Sequence, residues 1–223
     1  MNATRTTGAL SGAIFAVLTL VAFLFNPGPA STDGVTVVEY YAGHDARTLW
    51  GAAVVGVAIV CFAWFAETFA RRTPSGAAGV VGAAATIALY LVAVGCWEIL
   101  AEIFGGVDIV NVPPEGYQTA HVIQDVGVGA AHMGNFAAAA YIGATAFAFL
   151  GSPASRRLLG WLGIVIAAYR LFSAVVELAS NSRWSDAVST AGFLAFLAWV
   201  FAASVALAFT GRRATALVPQ PTA

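Results

Sequence analysis

Lysine is absent from this sequence of 223 residues, and charged side chains of every kind are scarce. All ten basic residues are arginines, which excludes every chemistry that needs a lysine amine, including a Schiff base with retinal. Charged residues make up 9% of the chain, against roughly 25% in an average soluble domain. A protein surface with so few charges must face something other than water.

The chain also has only two cysteines and no cluster of positive charges. The formal net charge is −1 and no basic patch exists, so a nucleic-acid partner is excluded. The two cysteines, Cys61 and Cys96, lie inside apolar runs without a CxxC spacing. This pattern excludes a disulfide framework and a thiolate metal site. We expect both thiols to act as small apolar side chains.

Apolar residues, in contrast, fill 60% of the chain and gather in six runs. A helix needs about 20 apolar residues to cross a hydrocarbon core of ~30 Å, and each run is long enough or nearly so. The predicted spans are Gly8–Phe25, Leu49–Ala70, Ala77–Phe104, Thr119–Leu150, Leu158–Ser180 and Ala187–Thr210. We therefore predict an all-α polytopic membrane protein, a bundle of six transmembrane helices whose first partner is the lipid bilayer. Residues 1–213 would form one domain, and residues 214–223 a short disordered tail.

The arginines predict the orientation of these spans. Seven of them flank alternate ends of the runs: Arg5, Arg71, Arg72, Arg156, Arg157, Arg212 and Arg213. The positive-inside rule places that side, with both termini, in the cytoplasm. The acidic loop residues fall on the opposite side, which agrees with this assignment. The arginines and the acidic loops together predict a multi-pass protein with both termini on the cytoplasmic side of its membrane.

Three local patterns predict details of the packing. Gly8 and Gly12 have the GxxxG spacing that lets a transmembrane helix approach a neighbour closely. Val35–Tyr41, in the first outer loop, has the tyrosines of a short helix at the membrane interface. Glu67 lies four residues before Arg71, the spacing of a helical ion pair.

The fourth span carries polar residues on one side only. At about 100° per residue, five side chains fall within an arc of roughly 100°. They are His121, Gln124, Asp125, His132 and Asn135. Ionisable groups within a membrane are costly unless they have partners. We therefore expect the neighbouring helices to supply hydrogen-bond or ion-pair partners for these side chains.

Two other spans supply ionisable groups at comparable depth. Glu98 and Glu102 lie one turn apart near the outer end of the third span, and Arg170 and Glu177 lie on the fifth. A centre-placed arginine costs ~2.5–3.5 kcal/mol on insertion scales, so it requires an anion nearby. By depth we predict Asp125 or Glu98 for Arg170, with His121 near Glu102 and Glu177. The candidate site residues are Glu98, Glu102, His121, Asp125, His132, Arg170 and Glu177.

Three interpretations of this cluster remain open. It could be a structural network that fixes helix packing. It could be a pocket or conduit for an ion, a proton or a small polar solute, since intramembrane carboxylates beside histidine are the groups that proton relays and transporters use. The third is a divalent metal site held by the i,i+4 pairs Glu98/Glu102 and His121/Asp125, which would make the protein a metal-dependent membrane enzyme. We favour the second, non-enzymatic interpretation.

Two segments of the chain also resemble a known group of proteins. They are Val37-Val38-Glu39-Tyr40-Tyr41 followed by His44–Arg47, and Arg156-Arg157-Leu-Leu-Gly-Trp161-Leu-Gly163. Together they resemble an uncharacterised family of small multi-pass membrane proteins of actinobacteria. The resemblance implies the multi-helix membrane architecture and brings no activity, ligand or functional residue with it. The pairs Glu98/Glu102 and His121/Asp125 are not part of its pattern.

Overall fold

A computed structural model describes the backbone of residues 3–71, 76–151, 154–179 and 183–215, and the side chains of 7–71, 78–151, 156–179 and 187–209. This part of the chain is all-α, as predicted, with one short 3-10 turn and no strand. The helices are α1 Ala3–Phe25, α2 Gly34–Ala70, α3 Gly76–Phe104, α4 Pro114–Leu150, α5 Ala154–Ala179 and α6 Arg183–Thr215, and the turn is Ile109–Asn111. All six helices are long and apolar enough to cross a membrane.

The helices form a closed ring. Each packs against the next along the chain, α6 packs back against α1, and α2 also contacts α4. We call the end that carries residues 26–33 and 105–113 the first-loop end, and the opposite end the Arg71 end. A ring of six helices leaves a central space, which side chains fill differently at the two ends.

The outer surface of the ring is apolar. Large hydrophobic side chains that are more than 60% exposed include Leu24, Val60, Val81, Phe147 and Val165. In water such a surface would be an aggregation site, whereas lipid covers it without cost. Trp50, Trp64 and Trp161 are exposed as well, in the positions of aromatic belts. The protein is therefore a multi-pass membrane protein.

Helix α2 begins fifteen residues before the predicted span. The carboxylate of Asp33 caps it by accepting the backbone N–H of Thr36 at 3.0 Å. The hydroxyl of Ser31 and this N–H donate to the carboxylate, and they lower the pKa of Asp33 from 3.8 to about 2. Helix α4 likewise begins early, at Pro114, because proline is well suited to the first turn of a helix.

The segment Val35–Tyr41 is helical, as predicted, but it is not a separate helix on the membrane surface. It continues into α2 through a kink at His44, whose φ of −135° and ψ of 19° are not helical. Val37, Val38 and Tyr41 are buried against the ends of α3 and α4. Burial of these apolar side chains against protein therefore outweighs the preference of tyrosine for the interface.

Glycines bring several helices into close contact. Gly8 faces Thr68, and a Cβ at Gly12 would lie 2.7 Å from the ring of Phe65, so the predicted GxxxG contact is confirmed between α1 and α2. The helical ion pair at the Arg71 end is also confirmed, with 2.6 Å between Arg71 and Glu67.

The predicted disordered tail, residues 214–223, lies largely outside the described residues. Helix α6 continues to Thr215, two residues into the predicted tail, and residues 216–223 are not described.

Candidate functional site

The centre of the ring is filled with aromatic side chains toward the Arg71 end. We call this group the aromatic plug; its members are at most 2% exposed and come from α2, α4 and α6. They are Phe62, Phe65, Phe69, Tyr141, Phe149, Phe196 and Trp199. Edge-to-face contacts link them, such as Phe69 to Phe149 at 5.3 Å and Phe149 to Trp199 at 6.2 Å between ring centroids. At this end the bundle has a packed core.

Between the plug and the first-loop end lies a cavity of about 380 Å³. All six helices and residues 26–29 of the first loop line it. Phe15 and the plug residue Phe196 also line it, and both rings contact Phe62 of the plug. Apolar and aromatic side chains make up most of the wall. Its polar side chains are Thr19, Asn26, Tyr41, Thr48, Tyr90, Trp97, Gln124, His132, Asn135, Arg170, Glu177, Ser189 and Thr190. The size and the mainly apolar wall are those of a small-molecule site.

Arg170 is the largest fully buried side chain, with 0% exposure. Its Nη2 donates to the hydroxyl of Tyr90 at 2.9 Å and to Oδ1 of Asn135 at 2.5 Å. The Tyr90 hydroxyl in turn donates to the same Asn135 oxygen at 2.9 Å. Residues of α3, α4 and α5 therefore meet at one guanidinium group.

Asn135 connects this arginine to a carboxylate. Its Nδ2 donates to Oε2 of Glu177 at 3.0 Å, and Nε2 of His132 lies 3.7 Å from the other oxygen, Oε1. Within the described residues Arg170 has no carboxylate within 4.0 Å, so the asparagine amide relays between cation and anion. We call His132, Asn135, Tyr90, Arg170 and Glu177 the Arg170 network.

Several polar atoms around the cavity have no hydrogen-bond partner within the described part of the chain. They are the hydroxyls of Thr19 and Thr48, Nε1 of Trp97, and Nε and Nη1 of Arg170. All four residues line the cavity. An unpaired buried polar group costs about 1–3 kcal/mol. Because these atoms are themselves covered by protein, each is a cost of the packing around the cavity rather than a contact point for a solute.

The predicted partners of Arg170 were wrong. Its hydrogen bonds go to Tyr90 and Asn135, and the carboxylate linked to it is Glu177 rather than Asp125 or Glu98. Asp125 is exposed and pairs with His121, 3.4 Å away. His121 also approaches the carbonyl of Thr32 at 2.6 Å, which ties the first loop to α4. His121 therefore contacts neither Glu102 nor Glu177.

Glu98 and Glu102 are exposed on the outside of α3. The buried positions of the same stretch are Ala93, Val94, Leu100, Ala101 and Phe104. At about 100° per residue, the two glutamates lie more than 90° away from the centre of that face. Both sit in the last two turns of α3, where a long side chain reaches the membrane interface.

The predicted four-ligand metal centre is not assembled. Glu98, Glu102, His121 and Asp125 all belong to the described residues, among which no three His, Cys, Asp or Glu side chains lie close enough together to hold a metal ion. Cys61 and Cys96 are free and partly buried. The structure thus divides the predicted set: His132, Arg170 and Glu177 meet at the cavity, and the other four lie on the exposed side of the first-loop end.

Sequence reasoning missed the aromatic members of the site on α3. Tyr90, Val94 and Trp97 all line the cavity and recur at intervals of four and three residues, the period of one helix face. The signal was present, because Tyr90 is the first hydrogen-bonding side chain after Thr86 in a strongly apolar span. Aromatic residues at helical spacing are usually core residues, which hid their role.

Comparison with known proteins adds no assignment: no family model, curated protein or solved structure matches this chain. A fold of six helices does not define a function by itself. The features of this chain that bear on its function are therefore the cavity and the side chains of its wall.

Proposed function

We propose that this protein binds a small, mainly apolar solute with a polar or charged group, in the cavity at the centre of the ring. It would act as a membrane-embedded binding protein or carrier in a bacterial cytoplasmic membrane. One observation carries the proposal: an aromatic-lined cavity at the centre of the ring has the hydrogen-bonded Arg170 network, with Arg170 itself fully buried, in its wall. Intramembrane ionisable residues that face a cavity commonly mark a solute pathway.

The packing around the cavity favours binding over an open channel. The aromatic plug fills the bundle toward the Arg71 end, and its members are almost completely buried. A solute therefore enters from the first-loop end, where Asn26, Pro27 and Pro29 contribute to the wall. If the arginine distribution sets the orientation, this entrance faces away from the cytoplasm.

The chemistry of the wall defines the kind of solute. Aromatic and aliphatic side chains would bury its apolar body, and each buried CH₂ is worth about 0.8 kcal/mol. The Arg170 network would orient its polar group. A bare inorganic ion would leave most of the apolar wall without a partner.

Calorimetric titration of the protein in lipid nanodiscs tests the proposal. Three water-soluble probes share a benzyl body and differ in charge: benzyltrimethylammonium, benzyl methyl sulfone and benzylsulfonate. We expect at least one of them to bind with a dissociation constant below about 1 mM, which corresponds to about −4.1 kcal/mol.

A pair of variants on α4 locates the binding. Ala131 lines the cavity, whereas Ala140 is exposed on the same helix and does not line it. Ala131→Phe should abolish binding by filling the cavity, and Ala140→Phe should leave it unchanged. Absence of binding for all three probes, or equal binding by both variants, would contradict the proposed function.

A further inference from the structure

We infer that the solute is an organic cation and that Glu177 is the residue that recognises its charge. The inference rests on the proposed function and adds the chemical class of the solute. Three features of the cavity support this inference. They are the accessibility of Glu177 compared with Arg170, the hydrogen bond that holds Glu177, and the aromatic side chains that line the cavity.

A solute in the cavity reaches the carboxylate more easily than the guanidinium. The side chain of His132 is 24% exposed and that of Glu177 is 10% exposed, whereas Arg170 is 0% exposed. Nη2 of Arg170 is already bound to Tyr90 and Asn135, and its Nε and Nη1 atoms are covered by protein. An anionic group would have to displace packed side chains to reach Arg170, and it would pass Glu177.

Glu177 is held in place with one oxygen left for a ligand. Asn135 donates to Oε2, and this fixes the carboxylate. The distance of 3.7 Å from Oε1 to His132 is longer than a hydrogen bond. A positioned carboxylate with an oxygen that accepts no hydrogen bond attracts an ammonium group more strongly than one that must first be ordered.

Aromatic rings line the same cavity as this carboxylate. Seven aromatic residues line the cavity, and they come from α1, α2, α3 and α6: Phe15, Phe23, Tyr41, Tyr90, Trp97, Phe193 and Phe196. The faces of such rings attract cations, and aromatic cages with a carboxylate are a common site for quaternary ammonium groups. The wall already uses this interaction, because the guanidinium carbon of Arg170 lies 5.8 Å from the ring centre of Phe196. The site therefore fits an amine or a quaternary ammonium group attached to an apolar body.

The three benzyl probes test this inference directly on the unmodified protein. We expect benzyltrimethylammonium to bind at least about tenfold more tightly than benzyl methyl sulfone or benzylsulfonate, a factor that corresponds to about 1.4 kcal/mol. If benzylsulfonate or the neutral sulfone binds as tightly as the cation, the inference is wrong while the proposed function stands. If no probe binds, the proposed function itself has failed.

Variants identify the residue responsible. Glu177→Gln should weaken binding of the cation by at least about tenfold and change binding of the neutral sulfone by less than about twofold, since a tenfold change reflects one lost charge interaction of about 1.4 kcal/mol. Glu115→Gln removes an exposed carboxylate of α4 that does not line the cavity and serves as the matched control, with no change expected. Cation preference that survives in Glu177→Gln would overturn the assignment.

A second variant covers the case in which Glu177→Gln does not fold, because it leaves Arg170 without its counterion. Arg170→Met combined with Glu177→Gln removes both charges and leaves no unpaired ion in the interior. This double variant should bind all three probes with similar affinity. Retention of the cation preference there would also contradict the role of Glu177.

Discussion

Arg170 and Glu177 are opposite charges on one face of α5, yet they interact only through the amide of Asn135. They are seven residues apart, which is about 10 Å along a helix axis. Within the described residues no nitrogen of Arg170 lies within 4.0 Å of a carboxylate oxygen of Glu177. Asn135 of α4 bridges them, so Arg170, Asn135 and Glu177 form a three-residue hydrogen-bonded relay between α4 and α5.

The members of this relay could be predicted from the sequence better than its connections. His132, Asn135, Arg170 and Glu177 stand out as polar residues in apolar spans, and all four do lie at the cavity. The position of each residue along its predicted span did not identify its hydrogen-bond partner. Asp125 and Glu98 lie at plausible depths but are exposed. For Asp125 the reason is that an arc of about 100° on α4 is wider than the part of its surface that faces the cavity.

A double-mutant cycle measures the coupling across the relay. Arg170→Met and Glu177→Gln should each destabilise the protein, because each leaves the opposite charge uncompensated in the interior. The double variant should lose less than the sum, with a coupling free energy of about 0.5–3 kcal/mol. The free energy of unfolding in mixed micelles is the measurement.

A cycle of Arg170→Met with Asp125→Asn is the control, and its two effects should be additive. Additivity in the first cycle would contradict the relay, and coupling in the control cycle would support Asp125 as the partner of Arg170.

At the scale of elements, apolar runs locate the membrane-spanning parts of helices but not their full lengths. The ends of α1 and α3 fall where the sequence places them, at Phe25 and Phe104. The starts of α2 and α4 do not, because helical segments that precede the long apolar run of each extend them toward the first-loop end. The signals for these extensions were capping residues, Asp33 for α2 and Pro113 with Pro114 for α4.

Close helix contacts were predictable only where glycines follow a motif. The contact of Gly8 and Gly12 with α2 agrees with the GxxxG spacing. Gly82 makes an equally close contact without a motif, since a Cβ there would lie 2.8 Å from the backbone nitrogen of Tyr141. In a span where small residues occupy every face, spacing does not distinguish a contact glycine from an incidental one.

Two glycines of α3 provide a matched test of this packing. Gly82→Ala should destabilise the protein by about 1–3 kcal/mol, because the added methyl meets the α4 backbone, which cannot move without shifting the helix. A Cβ at Gly95 would meet no neighbouring atom within 4 Å, so Gly95→Ala should stabilise by about 0.4–1 kcal/mol through lower entropy of the unfolded chain. Thermal unfolding in one detergent compares both variants. Equal effects would mean that α3 and α4 are not as close as described.

At the scale of the whole molecule, the ring has two unlike halves. The aromatic plug occupies the Arg71 end, and the cavity with its ionic network occupies the first-loop end. The sequence predicted six spans and a polar cluster toward one side. It could not predict the closed ring, because apolar residues occur all around most spans and no stripe indicates which face turns inward.

This asymmetry has a functional meaning. A cavity with one entrance and one packed end can load a solute from a single side of the membrane. Release on the other side would require the plug to rearrange, and alternating access of this kind is how carriers differ from channels. We therefore expect water and solutes to reach the cavity from the first-loop end and not from the Arg71 end.

Sided thiol labelling tests this claim most directly. The two native cysteines are first replaced by Cys61→Ala and Cys96→Ala, and Ala131→Cys then places a thiol in the cavity wall. A membrane-impermeant trimethylammonium-ethyl methanethiosulfonate is added to either side of sealed vesicles that contain protein in one orientation. Ala140→Cys, which faces the lipid side of the same helix, is the unreactive control. We predict rapid reaction of the thiol at position 131 from the first-loop side only; no reaction from either side, or equal reaction from the Arg71 side, would contradict the account.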